Sequence, residues 1–288
     1  MLFQVLASGI TAGAVYALVA LAFVLIYKGT RVVNFGQGEQ VMLGGYLVLV
    51  LNTFAGLPFW LAVVLALGLA GLLGVLIEFL VLRRIIASSP LTKIIAMLAI
   101  GLILREGVRA VMGPNAYPFP FLLSPAPIEV GGVLLTPANV AIVVAALGVM
   151  ALFYLFFRFA RLGKALRAAC ENRVAASLMG ISVPFVFTTI WVLGSVLAGV
   201  AGVLLAPLVT LTPDMGLVAI KGWVAAVIGG FTSLPGAVVG GVVVGVVETL
   251  SGSYVSTALK DGITYLLLIA ILIVRPSGLL ERRAVKKV

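Results

Sequence analysis

Residues 5–27 run for 23 positions without a charged side chain. About 20 apolar residues of helix cross the roughly 30 Å hydrocarbon core of a bilayer, and core helices of water-soluble proteins are usually shorter. Seven more apolar stretches follow, at 41–54, 59–82, 94–112, 133–157, 185–205, 217–247 and 257–274. They leave no long polar segment for a soluble domain. With 63% hydrophobic residues, 10% charged residues and a mean hydropathy of +1.29, the chain lies far from soluble proteins, of which about 25% is charged. The expectation is an all-α polytopic membrane protein with about eight transmembrane segments, one or more broken or re-entrant. Residues 1–288 are expected to form a single transmembrane domain.

Charge placement orients it. The 19 Lys and Arg outnumber the 9 Asp and Glu, but a nucleic-acid partner would need them gathered on a soluble face. Here they separate the apolar stretches. The clusters are Lys28 and Arg31; Arg83, Arg84 and Lys93; Arg158, Arg161, Lys164, Arg167 and Arg173; and Arg275, Arg282, Arg283, Lys286 and Lys287. Lys and Arg collect in short cytoplasmic loops, so all four clusters are expected inside and no nucleic acid is expected to bind. Residues 113–132 hold five prolines and no Lys or Arg, which suits a non-helical loop on the opposite side. Met1-Leu2-Phe3-Gln4 lacks a positive n-region and 5–27 is too long for a cleaved h-region, so the first helix reads as retained.

Eight plain crossings from an outward N-terminus would leave the basic C-terminus outside. Splitting the 31-residue stretch 217–247 at Gly229-Gly230-Phe231-Thr232-Ser233-Leu234-Pro235-Gly236 restores it to the inside. Two readings of that break are open, a segment lining a wet cavity or a tight re-entrant turn. Small residues four apart, such as Ser195 and Gly199, Ala198 and Gly202, Gly236 and Gly240, and Gly241 and Gly245, read as helix-packing seams.

Enzyme chemistry has little to work with. Histidine is absent and Cys170 is the only cysteine, which removes the commonest general base and metal ligand and any internal disulfide. No Ser/His, paired-Asp or metal constellation stands out. Gly163-Lys164-Ala165 lacks the upstream glycine and following hydroxyl of a phosphate-cradling loop. The chain is expected to hydrolyse no ATP and to hold no cofactor.

Polar residues inside the apolar pattern are the functional candidates. Asn34, Gln37 and Glu39 lie in a glycine-flanked break after the first helix; they either line a passage for a zwitterion or form a polar turn near the cytoplasmic surface. Lys221 stands beside the broken segment. Arg105, Glu106 and Arg109 read as snorkelling at a helix end, with a gate or pathway role as the second reading, and Glu106 and Arg109 are able to pair at i,i+3. Glu248, Lys260 and Asp261 read, like Lys221, as close to an interface. Residues 165–179 favour a short amphipathic helix, stopped by Gly180 with Pro184 soon after. In it Val174, Leu178 and Ile181 are expected to face a partner, while Arg167, Glu171 and Arg173 stay in water.

Glu171-Asn172-Arg173-Val174-Ala175-Ala176-Ser177-Leu178-Met179-Gly180-Ile181 resembles the cytoplasmic coupling loop of branched-chain amino acid ABC transporter permeases, specifically the shorter permease subunit. Val33-Asn34-Phe35-Gly36-Gln37-Gly38-Glu39 with Met42-Leu43-Gly44-Gly45-Tyr46, the Gly229–Ala237 motif with Gly240-Gly241, and Arg275-Pro276-Ser277-Gly278-Leu279 agree with the same family, in its order. One departure is Gly36-Gln37, where many relatives have Ala-His; glutamine still exchanges hydrogen bonds but does not titrate.

The resemblance implies a multi-pass subunit of a bacterial or archaeal plasma (inner) membrane, forming a translocation pathway for an amino-acid substrate. It implies a second permease subunit, two cytoplasmic ABC ATPase subunits that bind ATP and Mg, and an extracytoplasmic substrate-binding protein, all within membrane lipid. Residues 158–184 would be the coupling loop, with Arg167, Glu171, Asn172, Ala175, Ala176, Met179 and Gly180 meeting an ATPase. Asn34, Gln37, Glu39 and Lys221 are the pathway candidates. A urea or short-amide importer and an ion-driven secondary transporter are the alternatives.

Overall fold

In the computed structural model, residues 2–121, 128–130 and 133–280 are described. Helix α1 (Leu2–Thr30) is apolar on every side and buried from Gly9 to Ile26 apart from Ile10 and Ala12, as a helix without a polar face must be. Packed around it are α6 (Pro137–Phe159), α9 (Val183–Leu205), α10 (Ala219–Gly229) and α11 (Leu234–Tyr254). Helix α2 (Gln37–Leu49), extended by a π turn over Val50–Phe54, lies against α9, α3 (Phe59–Ile77) and α5 (Pro90–Met112). A second π turn, Glu78–Leu82, continues α3 into the short α4 (Arg83–Ile85), and α12 (Lys260–Val274) closes on α11.

Five helical spans are long and apolar enough to cross a bilayer: Leu2–Thr30, Phe59–Ile85, Pro137–Phe159, Val183–Leu205 and Leu234–Tyr254. The expected count of eight is not reached on length and composition. Helices α2, α10 and α12 are short, and α5 carries Lys93, Arg105, Glu106 and Arg109. The stretch expected as helix from 133 begins as strand. Ile128–Val130 (β1) pairs antiparallel with Val133–Leu135 (β2), and α6 starts only at Pro137, where the Thr136 hydroxyl accepts from Asn139 N at 3.3 Å. Proline in the first turn loses no helix bond. The expected proline-rich loop is helix-free over its described residues beyond Met112; Pro125 and Pro127 lie outside the described residues.

The glycine pairs do work as seams. A Cβ on Gly241 or Gly245 would strike α1 backbone at Ala17 and Gly13, one on Gly199 would press Ala70 of α3, and one on Gly202 would strike Val41 O of α2. Gly240 and Gly236 let α11 pack on α10 at Ala225 and Gly229. In lipid, where apolar surface alone does not drive helices together, such close approach supplies the packing contacts.

The basic clusters gather at one end of the bundle. Arg173 Nη2 donates to Gly29 O at 3.0 Å, and Arg83 Nη2 donates to Thr188 Oγ1 at 3.1 Å and to the buried Glu78 carboxylate at 3.0 Å. The Tyr27 ring meets Phe231 edge-on at 4.7 Å, and the amides of Leu279 and Leu280 donate to Ile228 O and Gly229 O. Arg275 falls at this end, while Arg282, Arg283, Lys286 and Lys287 lie outside the described residues. By the positive-inside rule this is the cytoplasmic end. The break in 217–247 therefore resolves as a tight turn here, with Gly230 at φ 107° and the Ser233 hydroxyl capping α11. Its Leu234 and Pro235 border a groove between α6 and α11.

Candidate functional site

The break after α1 returns the chain into the bundle before α2 begins. Asn34 makes the turn: its Oδ1 accepts from Gly36 N at 3.1 Å and its Nδ2 donates to Gln37 Oε1 at 2.8 Å. Gln37 Nε2 donates in turn to Gly194 O at 3.1 Å, and Ser195 Oγ donates to Gln40 Oε1 at 3.1 Å. Gly194 stands well along α9, about 16 Å from its start at 1.5 Å per residue. The turn is thus inside the bundle and not at the cytoplasmic surface. Asn34 and Gln37 are both buried and turned toward protein; they position α2, because a buried amide left unpaired costs about 1–3 kcal/mol.

Of the four pathway candidates, Glu39 lines a cavity. About 320 Å³ in volume, this cavity is lined by Glu39 and Arg105 with Phe23, Phe35, Leu98 and Trp223 among its apolar walls. Gly38 and Gly216 touch backbone to backbone beside it, where neither position has room for a Cβ. Arg105 Nη2 donates to Glu39 Oε1 at 3.3 Å, and its Nη1 lies 3.6 Å from Asp214 Oδ1. Arg109 extends the chain of charges to Asp214 at 3.1 Å and to Glu106 at 2.9 Å. The i,i+3 pair expected from sequence is present. Arg105 does not merely snorkel: it stands about 22 Å along α5 from Pro90, paired with a carboxylate of another helix. Sequence reasoning put a pathway role for it second, on the signal of a guanidinium late in an apolar stretch.

Lys221 does not join this group. Its Nζ binds Glu248 Oε1 at 2.5 Å and Asp261 Oδ1 at 2.9 Å, with Lys260 3.8 Å from the same glutamate. Lys221 and Glu248 are 14% and 8% exposed at the side chain while Lys260 and Asp261 are 39% and 51% exposed, so these residues form one ion cluster, joining α10, α11 and α12, that runs from the interior to the surface.

At the cytoplasmic end the helix expected over 165–179 is two helices, α7 (Arg161–Glu171) and α8 (Arg173–Leu178). Asn172, extended at φ −147°, separates them, and its Oδ1 caps α8 by accepting from Ala175 N at 3.0 Å. Gly180 at φ 84° ends α8, with Gly180 N bonded to Ser177 O and Ile181 N to Ala176 O, a Schellman closure. Val174, Leu178 and Met179 stand 72%, 83% and 83% exposed; Glu171, Asn172, Ala175 and Gly180 are exposed as well. Ala176 is buried, because it fills the inner face of the single turn, so it offers nothing to a partner. Arg173 is not free in water; besides bonding Gly29 O it stacks on Phe187 at 4.8 Å. Arg167 is exposed but lines a groove beside α6. Cys170, near the end of α7, is half-buried, and burial raises its thiol pKa above the usual value.

Five membrane-length helices, and a cavity beside α1, α2, α5 and α10 that holds an ion pair, define a multi-pass helical membrane protein with a charged site among its helices. Comparison with known proteins narrows this. The family described as branched-chain amino acid transport system / permease component matches residues 5–272, and the chain belongs to it. The high-affinity branched-chain amino acid transport system permease protein LivH of Salmonella typhimurium is 34% identical over 99% of this chain and 97% of its own. The permease protein BraD of Pseudomonas aeruginosa is 32% identical over the same shares, and the probable LivH of Methanocaldococcus jannaschii is 31% identical over 91% and 87%. The chain is a transport permease subunit. The solved PsaBC of Streptococcus pneumoniae in complex with Fab covers 94% of this chain and 89% of that one at 16% identity and a TM-score of 0.49, a likeness too weak to support a fold argument.

Proposed function

We propose that this subunit carries branched-chain or related amino acids inward across a bacterial or archaeal plasma membrane, driven by ATP hydrolysed on separate subunits. The observation that carries the reading is the Glu39–Arg105 pair at the cavity with Phe23, Phe35, Leu98 and Trp223 around it. An α-amino acid brings an ammonium for the carboxylate, a carboxylate for the guanidinium and an aliphatic side chain for the apolar wall. Polar groups in low dielectric are affordable only when so paired. Urea and short amides, the second reading, are uncharged and would offer neither site charge an opposite one; the permease names of the relatives point the same way.

In this scheme a second permease subunit completes the pathway, an extracytoplasmic binding protein delivers substrate, and two cytoplasmic ATPases hold ATP and Mg. The exposed apolar patch of Val174, Leu178 and Met179 on an otherwise basic end is the docking surface, since contiguous apolar side chains facing water mark partner sites. Glu171, Asn172, Ala175 and Gly180 surround it. ATP binding then shifts the permease between two states by favouring one docked arrangement.

The test is reconstitution with the neighbouring transport subunits in liposomes and comparison of labelled leucine and urea uptake. ATP-dependent leucine uptake that disappears in Met179→Arg supports the proposal. Urea uptake changes the substrate, and gradient-driven uptake by this chain alone, indifferent to ATP, sinks it.

A further inference from the structure

Between α6 and α11 a groove of about 710 Å³ opens over α1 and α9, separate from the charged cavity and from the patch at Met179. Its floor is Leu21, Leu25 and Leu197, and Val238 lies on its wall. Among the described residues, the only charged side chains lining it are Arg158, where α6 ends, and Arg167 of α7. Arg158 leans on the rings of Tyr154 and Phe159 and donates to the Tyr154 hydroxyl. Neither arginine has a carboxylate partner among the described residues.

Depth and polarity limit the occupant. Leu21 lies about 14 Å along α1 from the basic end at Thr30, close to half of a roughly 30 Å hydrocarbon core. The groove is therefore apolar through the depth of one leaflet and cationic at that leaflet's surface. Close helix seams in this chain use glycine, as where Gly13 meets Gly241 and Gly245. Among the described residues no glycine lines the groove, so its leucine and aromatic walls suit a flexible hydrocarbon chain better than another helix.

We propose that the groove seats one anionic phospholipid of the cytoplasmic leaflet, with its phosphate between Arg158 and Arg167 and an acyl chain over Leu21, Leu25, Leu197 and Val238. Basic pockets between helices on the cytoplasmic side suit such headgroups. Because Arg167 belongs to α7, the lipid holds the segment that leads into Asn172 and α8. It thereby braces the docking patch from the membrane side.

The full chain is placed in nanodiscs of mixed phosphatidylglycerol and phosphatidylcholine, extracted, and weighed by native mass spectrometry. One retained phosphatidylglycerol per chain is expected, falling roughly tenfold in the Arg158→Gln, Arg167→Gln double variant. Val239→Trp keeps both arginines and fills the groove from its rim, and is expected to lose the lipid too. Equal retention of the two phospholipids by the unaltered chain overturns the proposal without any variant. Loss in the arginine variant with retention in Val239→Trp indicates adsorption to charge alone, and a lipid-free dimer indicates a second copy in the groove; either result overturns it.

Discussion

The guanidinium of Arg105 lies 3.3 Å from the Glu39 carboxylate, joining residues 66 apart in sequence across the α2–α5 contact. Arg105 has a second acidic neighbour, Asp214 at 3.6 Å, and Glu39 has no other ion pair among the described residues. Neutralising the two residues is therefore unequal. Arg105→Gln strands Glu39 and is expected to cost up to about 3 kcal/mol, while Glu39→Gln costs less and the double variant recovers much of the difference. Thermal unfolding in detergent reads the order; an equal loss from both single variants contradicts the pairing. Leucine uptake is expected to fall in all three.

Gly202 and Gly148 make a matched pair for testing the packing. A Cβ at Gly202 would strike Val41 O, whereas one at Gly148 meets nothing within 4 Å. Gly202→Val is expected to separate α2 from α9 at a cost of about 1–3 kcal/mol or more, lowering the yield of monodisperse protein. Gly148→Val should match the unaltered chain on the same size-exclusion column.

Asn172 acts through one hydrogen bond, from its Oδ1 to Ala175 N. Asn172→Ala is expected to destabilise α8 by about 1 kcal/mol, and Asn172→Asp, which keeps the acceptor, to restore it. With assembled transporter in liposomes, the alanine variant should move less leucine per ATP hydrolysed, and the aspartate variant should not. Identical ratios for both would remove the cap from the coupling scheme.

Cys170 offers a chemical probe of α7. Burial disfavours its thiolate and outweighs the neighbouring Lys28, Arg173 and Arg31, so the folded pKa lies above the ordinary thiol value. Since the thiolate is the nucleophile, alkylation by iodoacetamide at pH 8 should be slow in the folded chain and fast after denaturation. The folded rate should still be climbing above the pH at which a free thiol levels off. A folded rate matching the denatured one at pH 8 would mean the thiol is not buried.

Composition alone placed this chain in the membrane, because runs such as 5–27 and 59–82 are too long and apolar for water to solvate, and the basic clusters marked the inner end. The short-range motifs were legible for the same reason: the Gly229–Gly236 break, the Gly180 helix stop and the small-residue seams depend on local backbone and side-chain size. Which polar residues meet was a different matter. Asn34, Gln37, Glu39 and Lys221 look alike in sequence as polar positions amid apolar ones. Only the tertiary structure turned Asn34 and Gln37 into the brace of α2, gave Glu39 to Arg105 and sent Lys221 to Glu248 and Asp261. The inward turn of Ala176 and the capture of Arg173 by Gly29 O were hidden likewise. A charge in low dielectric must find its partner wherever the fold brings one near, and helical periodicity records which face a residue occupies but not which helix lies opposite.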